Sequence, residues 1–114
     1  MTLEEIVRAL SFKVIAGESE LGRVVTGGYA SDLLSLAMAG AKADNIWVTM
    51  QGHPNVVAVA SLLGLAAVLV TEGLPVEPLT IQRAQENRVV LLSTSHDTFT
   101  AVSQLAGLGL AGTR

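Results

Sequence analysis

The amino-acid sequence predicts an α/β fold, a mostly parallel sheet with helices on its faces, folded as one compact domain over residues 1–114. Three observations predict it. From Asn45 onward, short apolar runs alternate with helix-length segments, the rhythm of strand–helix–strand units. The runs Ile46-Trp47-Val48, Ala67-Val68-Leu69-Val70 and Val89-Val90-Leu91-Leu92 lack polar alternation, as strands covered on both faces do. Half of the residues (50%) are hydrophobic and only 15% are charged, which provides a sizeable core in a chain of one-domain length.

Each element follows from local chemistry. Thr2 and Glu5 stand in capping-box relation, and Leu3, Ile6, Val7 and Leu10 fall on one face of the helix they open. Phe12 to Ile15 reads as a strand, Gly17 to Gly22 as a polar turn, and Val24-Val25 as a short extended piece that Gly27-Gly28 breaks. A glycine pair of that kind is expected to turn the chain with positive φ. Ser31 is the expected N-cap of a helix running to about Ala39, with Asp32 at its positive end, an apolar stripe of Leu33, Leu34, Ala37 and Met38, and Gly40 as its end. Ile46 to Met50 is a strand. Pro54 suits the first turn of a helix reaching Leu63, which Gly64 closes. Ala67 to Thr71 is a strand with Glu72-Gly73 as its turn. Pro78 opens a helix to Glu86 that Asn87 closes, and Val89 to Leu92 is the last strand. Asp97 or Ser95 caps a final helix with Phe99, Val102, Leu105 and Ala106 on one face.

Composition excludes several classes of function. The formal net charge is −3, the only lysines are Lys13 and Lys42, and no basic cluster exists, so no nucleic-acid partner is expected. With no cysteine there is no disulfide, thiol catalysis or thiolate metal site. The apolar stretch Val56 to Val70 is shorter than the ~20 residues of a spanning helix and is interrupted by Gly64, so no membrane partner is expected. The acidic start Met1-Thr2-Leu3-Glu4-Glu5 is unlike a signal peptide, and a cytoplasmic setting is the expectation.

Ligands of open parallel sheets gather at the carboxyl ends of the strands. There the sequence places Gln51, His53 and Asn55 after one strand, Thr71 and Glu72 after the next, and Ser93, Ser95, His96 and Asp97 after the last. Both histidines of the chain fall on this rim. Two readings fit Gln51-Gly52-His53-Pro54-Asn55: the side chains cap the following helix, or they and its free N–H groups hold an anion such as phosphate or carboxylate. A metal site from His53, His96, Asp97 and Glu72 lacks ligand spacing, and no metal or cofactor is expected. Ser93 or Ser95 with His96 and Asp97 cannot fold back into a hydrolytic triad, and no nucleophile elbow or phosphate-binding loop occurs.

The stretch from Gly22 to Leu34 carries a more specific signal. Arg23, Thr26, Gly27 and Gly28, followed by Tyr29, Ser31, Asp32 and Leu33, resemble the signature of the DRTGG domain family. Trp47-Val48-Thr49 and the run His53 to Ala60 resemble its second block. Gly22 stands where the family usually has the aspartate of its name. The resemblance implies an α/β fold similar to the amino-terminal domain of the HPr kinase/phosphorylase family, and association in pairs. It implies a regulatory or assembly module, since such domains sit beside phosphotransacetylase catalytic regions or between regulatory domains of some pyrophosphatases. Kinase activity is not implied, because the kinase's phosphate-binding loop lies outside the matching region.

Together these readings describe a non-catalytic regulatory domain that forms a homodimer and binds a small anionic ligand such as a nucleotide. The expected ligand-binding residues are Gly27, Gly28, Tyr29, Gln51, His53, Asn55 and Thr71. The glycine pair is expected to let a ligand or partner approach the backbone. Small residues at Ala37, Ala39, Gly40 and Ala41 offer a surface for a second copy. The alternative is an assembly module with a protein partner and no small-molecule ligand.

Overall fold

A computed structural model describes residues 1–112. Its elements run α1 (Leu3–Leu10), β1 (Lys13–Ala16), a 3₁₀ turn (Glu18–Glu20), β2 (Gly27–Ala30), α2 (Leu34–Gly40), β3 (Asn45–Thr49), α3 (Asn55–Leu63), β4 (Ala67–Val70), α4 (Pro78–Asn87), β5 (Leu91–Ser93) and α5 (Thr98–Gly107). One five-stranded sheet has the order β1-β5-β4-β3-β2. β2, β3, β4 and β5 are parallel, and β1 closes the far side antiparallel to β5.

Side-chain alternation divides the core into two layers. Trp47, Val68, Val70 and Leu91 meet α2, α3 and α4 on one face. Ile46, Val48, Leu69 and Leu92 meet α1 and α5 on the other. Every residue of β3 and β4 is buried, which explains the apolar runs Ile46–Val48 and Ala67–Val70. Trp47 also satisfies its indole N–H, which donates to the Ser31 carbonyl oxygen at 2.9 Å.

Several caps are as the sequence predicts. Thr2 and Glu5 form the full capping box, and the Thr2 backbone N–H holds the Glu5 carboxyl below its usual pKa. Gly64 ends α3 in the left-handed region at φ 66°. Asp97, rather than Ser95, caps α5 by accepting the Thr100 N–H at 2.7 Å.

Other expectations are corrected. Gly27-Gly28 does not break the chain: it begins β2, and neither glycine has positive φ. The requirement at Gly27 is spatial, because a Cβ there would lie 2.6 Å from the Ala111 carbonyl oxygen. Ser31 does not cap α2. Its hydroxyl accepts the Leu33 N–H, and the helix begins one turn of chain later, at Leu34. Arg88, not Asn87, takes the left-handed position after α4 (φ 54°), while Asn87 remains helical and its side chain donates to the Arg83 carbonyl. On α2 it is Ala37 and Gly40 that are buried, with Leu33 and Met38 exposed. On α5 the buried residues are Ala101 and Leu105, whereas Phe99 is 84% exposed and Val102 and Ala106 face outward.

Candidate functional site

The carboxyl rim of the sheet is built from four loops, and their polar groups are largely spent on one another. Asp32 leaves β2 and accepts from the Thr49 hydroxyl (2.9 Å) and the Met50 N–H (2.7 Å). The Gln51 side-chain amide donates back to the Asp32 carbonyl, and the Gln51 N–H donates to the Thr49 hydroxyl. These bonds tie the β2–α2 connection to the β3–α3 connection.

His53 caps α3: its Nδ1 accepts the Asn55 N–H at 3.1 Å. The Val56 and Val57 N–H groups donate to the carbonyls of His53 and Pro54. The first donors of the helix therefore have partners within the chain. The Asn55 side chain is exposed. Gly52 is pressed under the β4–α4 loop, so that a Cβ there would overlap the Pro75 carbonyl oxygen. Its own carbonyl accepts from the Thr80 hydroxyl (2.6 Å) and the Glu77 N–H (3.2 Å).

Thr71 is fully buried, with its hydroxyl 2.7 Å from that of Thr98 at the start of α5. Glu72 stands at φ 69°, and its carboxylate accepts the Thr98 N–H at 2.7 Å. Asp97 takes the Thr100 N–H of the same helix end, and that bond, with the Thr100 side chain and nearby His96, lowers its carboxyl pKa. Two carboxylates thus occupy the amino end of α5 and leave it unsuited to an external anion.

The expected site residues fall in two places. Gln51, His53, Asn55 and Thr71 lie together at the carboxyl ends of β3 and β4. Gly27 pairs with Asn45 at the opposite end of β3, roughly 16 Å away at the rise of a strand. Gly28 and Tyr29 line an apolar groove of about 330 Å³ beside the β2 edge, and the Tyr29 ring also covers Gly40 of α2.

That groove was not legible in the sequence. Its floor is Gly28, Ala30 and Val48, one wall is Val102 and Ala106 of α5, and Leu110 closes the end. Gly28 donates to the Ala111 carbonyl and bridges to Gly112 in parallel, so the chain's last described residues extend the sheet by one short step. A second hollow, of about 510 Å³, was also missed. It combines Ser11, Lys13, Ser93, Ser95 and His96 beside Leu74. The antiparallel pairing of Lys13 with Ser93 brings the lysine there. Only the serine–histidine cluster gave a sequence signal, since pairing of β1 with β5 is a long-range fact. Among the described residues, no three His, Asp or Glu side chains gather in a metal-binding group.

The Arg23-to-Gly28 motif has an architectural role. Arg23 donates to the Asp44 carboxylate (2.7 Å) and to the carbonyls of Gly64 (2.7 Å) and Leu65 (3.0 Å). Thr26 donates to the Ala43 carbonyl and accepts from the Asn45 amide. Arginine and threonine together fasten the start of β2 to the loops that precede β3 and β4. At Gly22 a Cβ would meet nothing within 4 Å, so the aspartate usual there is sterically admissible.

Comparison with known proteins agrees with this geometry. The family model described as the DRTGG domain matches residues 5–108. Among curated proteins none matches the sequence. Among solved structures, the CBS and DRTGG domains of the regulatory region of Clostridium perfringens pyrophosphatase, complexed with the activator diadenosine tetraphosphate, are similar in fold. The TM-score is 0.69 at 19% identity, over 99% of this chain and 51% of that one. The present chain thus spans about half the length of that regulatory region.

Proposed function

The chain belongs to the DRTGG domain family, and from that premise we propose that it is a non-catalytic regulatory domain that pairs with a second copy and takes a small anionic ligand of the nucleotide class. The observation that carries the ligand reading is the hollow at the β5 end of the rim. There Lys13, His96, Ser11, Ser93 and Ser95 line a space of about 510 Å³ open to solvent. A lysine among hydroxyls suits a phosphate oxygen, and Leu74 offers an apolar surface to a base or sugar. The similar pyrophosphatase region, which is complexed with a dinucleotide activator, supports the class of ligand. Gln51 and Thr71 then tie neighbouring loops together, His53 holds the start of α3, and Gly28 and Tyr29 lie on the side that faces a partner. A regulatory domain of this kind works in the cytoplasm, and no helix among the described residues is long and apolar enough to cross a membrane.

Thermal unfolding with AMP, ADP, ATP, diadenosine tetraphosphate and inorganic phosphate tests the ligand. A ligand at one hundred times its Kd raises stability by about 2.7 kcal/mol. Lys13→Ala and His96→Ala are expected to remove the shift while leaving the ligand-free midpoint unchanged. No shift at millimolar concentration of any of these compounds defeats the ligand reading.

A second reading, an assembly module without a small-molecule ligand, is favoured by the apolar groove beside β2. Its mark is the absence of any ligand shift together with concentration-dependent protection of Val102 to Leu110 from hydrogen exchange.

A further inference from the structure

Helix α5 has an unusual outer face. Phe99, Val102 and Ala106 follow one another at i, i+3 and i+7 and so share a stripe. Phe99 is 84% exposed and Val102 38% exposed. From Thr98 to Gly112 the sequence contains no charged side chain. The groove of about 330 Å³ begins beside Val102 and continues past Ala106 to Leu110. A protruding aromatic ring and an empty apolar hollow thus lie on one helix, about 10 Å apart at the rise of an α-helix.

We propose that α5 is the pairing surface, packed antiparallel against the α5 of a second copy so that each Phe99 enters the other's groove. This rests on the pairing part of the function proposed above and names its surface. A two-fold axis passing between Val102 and Ser103 sets Phe99 of one copy opposite Ala106 of the other, and the reverse, because isologous contacts are reciprocal. The recipient end is small: a Cβ at Gly107 or Gly109 would meet nothing within 4 Å. Space is therefore available for a ring.

A second copy is the fitting occupant for two reasons. In an antiparallel two-fold pair this stretch meets its own copy, and because it holds no charged side chain no like charges face each other across the axis. Charge depletion with aromatic anchors is also what the core of a protein interface shows. An anionic membrane surface requires basic residues, which this face lacks.

Leu33, Leu36 and Met38 of α2 also protrude. A third cavity, between α3 and α4, is rimmed by Arg83 and Asn87. α5 presents both the ridge and the recess that reciprocal docking needs. Of the small residues expected to offer a surface for a second copy, Ala37, Gly40 and Ala41 are buried within one subunit and Ala39 is exposed.

Sedimentation and crosslinking test this on the whole chain. The wild-type protein is expected to be dimeric at micromolar concentration, and Phe99→Ala should raise the dimer dissociation constant about 30-fold or more, as for an interface anchor. Because Phe99 is exposed in the single chain, the variant is expected to fold, with the same helix content by circular dichroism as the wild type. The sequence holds no cysteine, so introduced thiols report geometry cleanly. The double variant Phe99→Cys, Ala106→Cys should oxidise to a covalent dimer. Within one helix those positions are too far apart for a disulfide, and Phe99→Cys alone should crosslink poorly. A wild-type dimer that Phe99→Ala leaves intact, or crosslinking by Phe99→Cys alone equal to the double variant, overturns the surface while pairing stands. A wild-type monomer at several hundred micromolar overturns the pairing itself and this surface with it.

Discussion

The carboxyl rim of the sheet and its β2 edge stand in opposite conditions. At the rim, Asp32, Gln51, His53, Thr71, Glu72 and Asp97 bond to neighbouring loops or cap helices. At the edge, the groove under α5 is apolar and unfilled, and Phe99 protrudes beside it. Polar residues clustered in loops attract a functional reading, yet most of those here close the fold's own valences, as buried and half-buried polar groups must. An exposed apolar ridge next to an apolar recess has no such internal account, and it is the more informative of the two regions. The exception on the rim is the Lys13–His96 hollow, where polar groups face open space.

The largest effect expected from breaking this contrast is at Gly52. Replacement by valine drives a branched side chain into the Pro75 carbonyl and opens the rim. A loss of about 3 kcal/mol is expected in urea unfolding, at the upper end for overpacking. A result near zero would show that the loops are less tightly joined than their bonds imply.

Arg23→Ala comes next. It removes a guanidinium shared by one carboxylate and two carbonyls and frees the start of β2, and about 2 kcal/mol should be lost. Because the edge strand floors the groove, this variant should also weaken pairing, which sedimentation measures.

A smaller, pH-dependent effect sits at the amino end of α5. The Asp97 carboxyl is lowered in the folded state by the Thr100 N–H. Its stabilisation is therefore complete above the ordinary carboxylate pKa, near 4, and is lost as pH falls from there through the lowered folded value. Glu5, lowered by the Thr2 N–H, acts in the same direction on α1. Urea midpoints between pH 7 and pH 2.5 should decline on the acid side, and Asp97→Asn, which keeps a capping side chain, should flatten that decline.

The smallest effects belong to open positions. Gly22→Asp and Ala106→Leu meet free space and should alter the stability of the monomer by no more than about 0.5 kcal/mol. Ala106→Leu should nevertheless impair pairing, since it fills the recess. Equal insensitivity of stability and pairing would return α5 to the status of an ordinary exposed helix.

The sequence by itself determined the elements whose signals are local. The capping box of Thr2 and Glu5, the stop at Gly64, the start at Pro78 and the apolar runs of β3 and β4 all depend on residues a few positions apart. The motif of Arg23, Thr26, Gly27 and Gly28 identified the family for the same reason. Only the tertiary structure decided what those glycines are for. Gly27-Gly28 resembles a turn until Ala111 is brought against it from the far end of the chain. Likewise, the helical spacing of Phe99, Val102, Leu105 and Ala106 defines a face but not its exact direction, and packing turned Leu105 inward together with Ala101 while the other three face outward. Lys13 joined Ser93 and His96 only through the antiparallel pairing of β1 with β5. Caps and periodicity are short-range and written in neighbouring residues. A groove, an edge or a hollow exists only where distant segments meet.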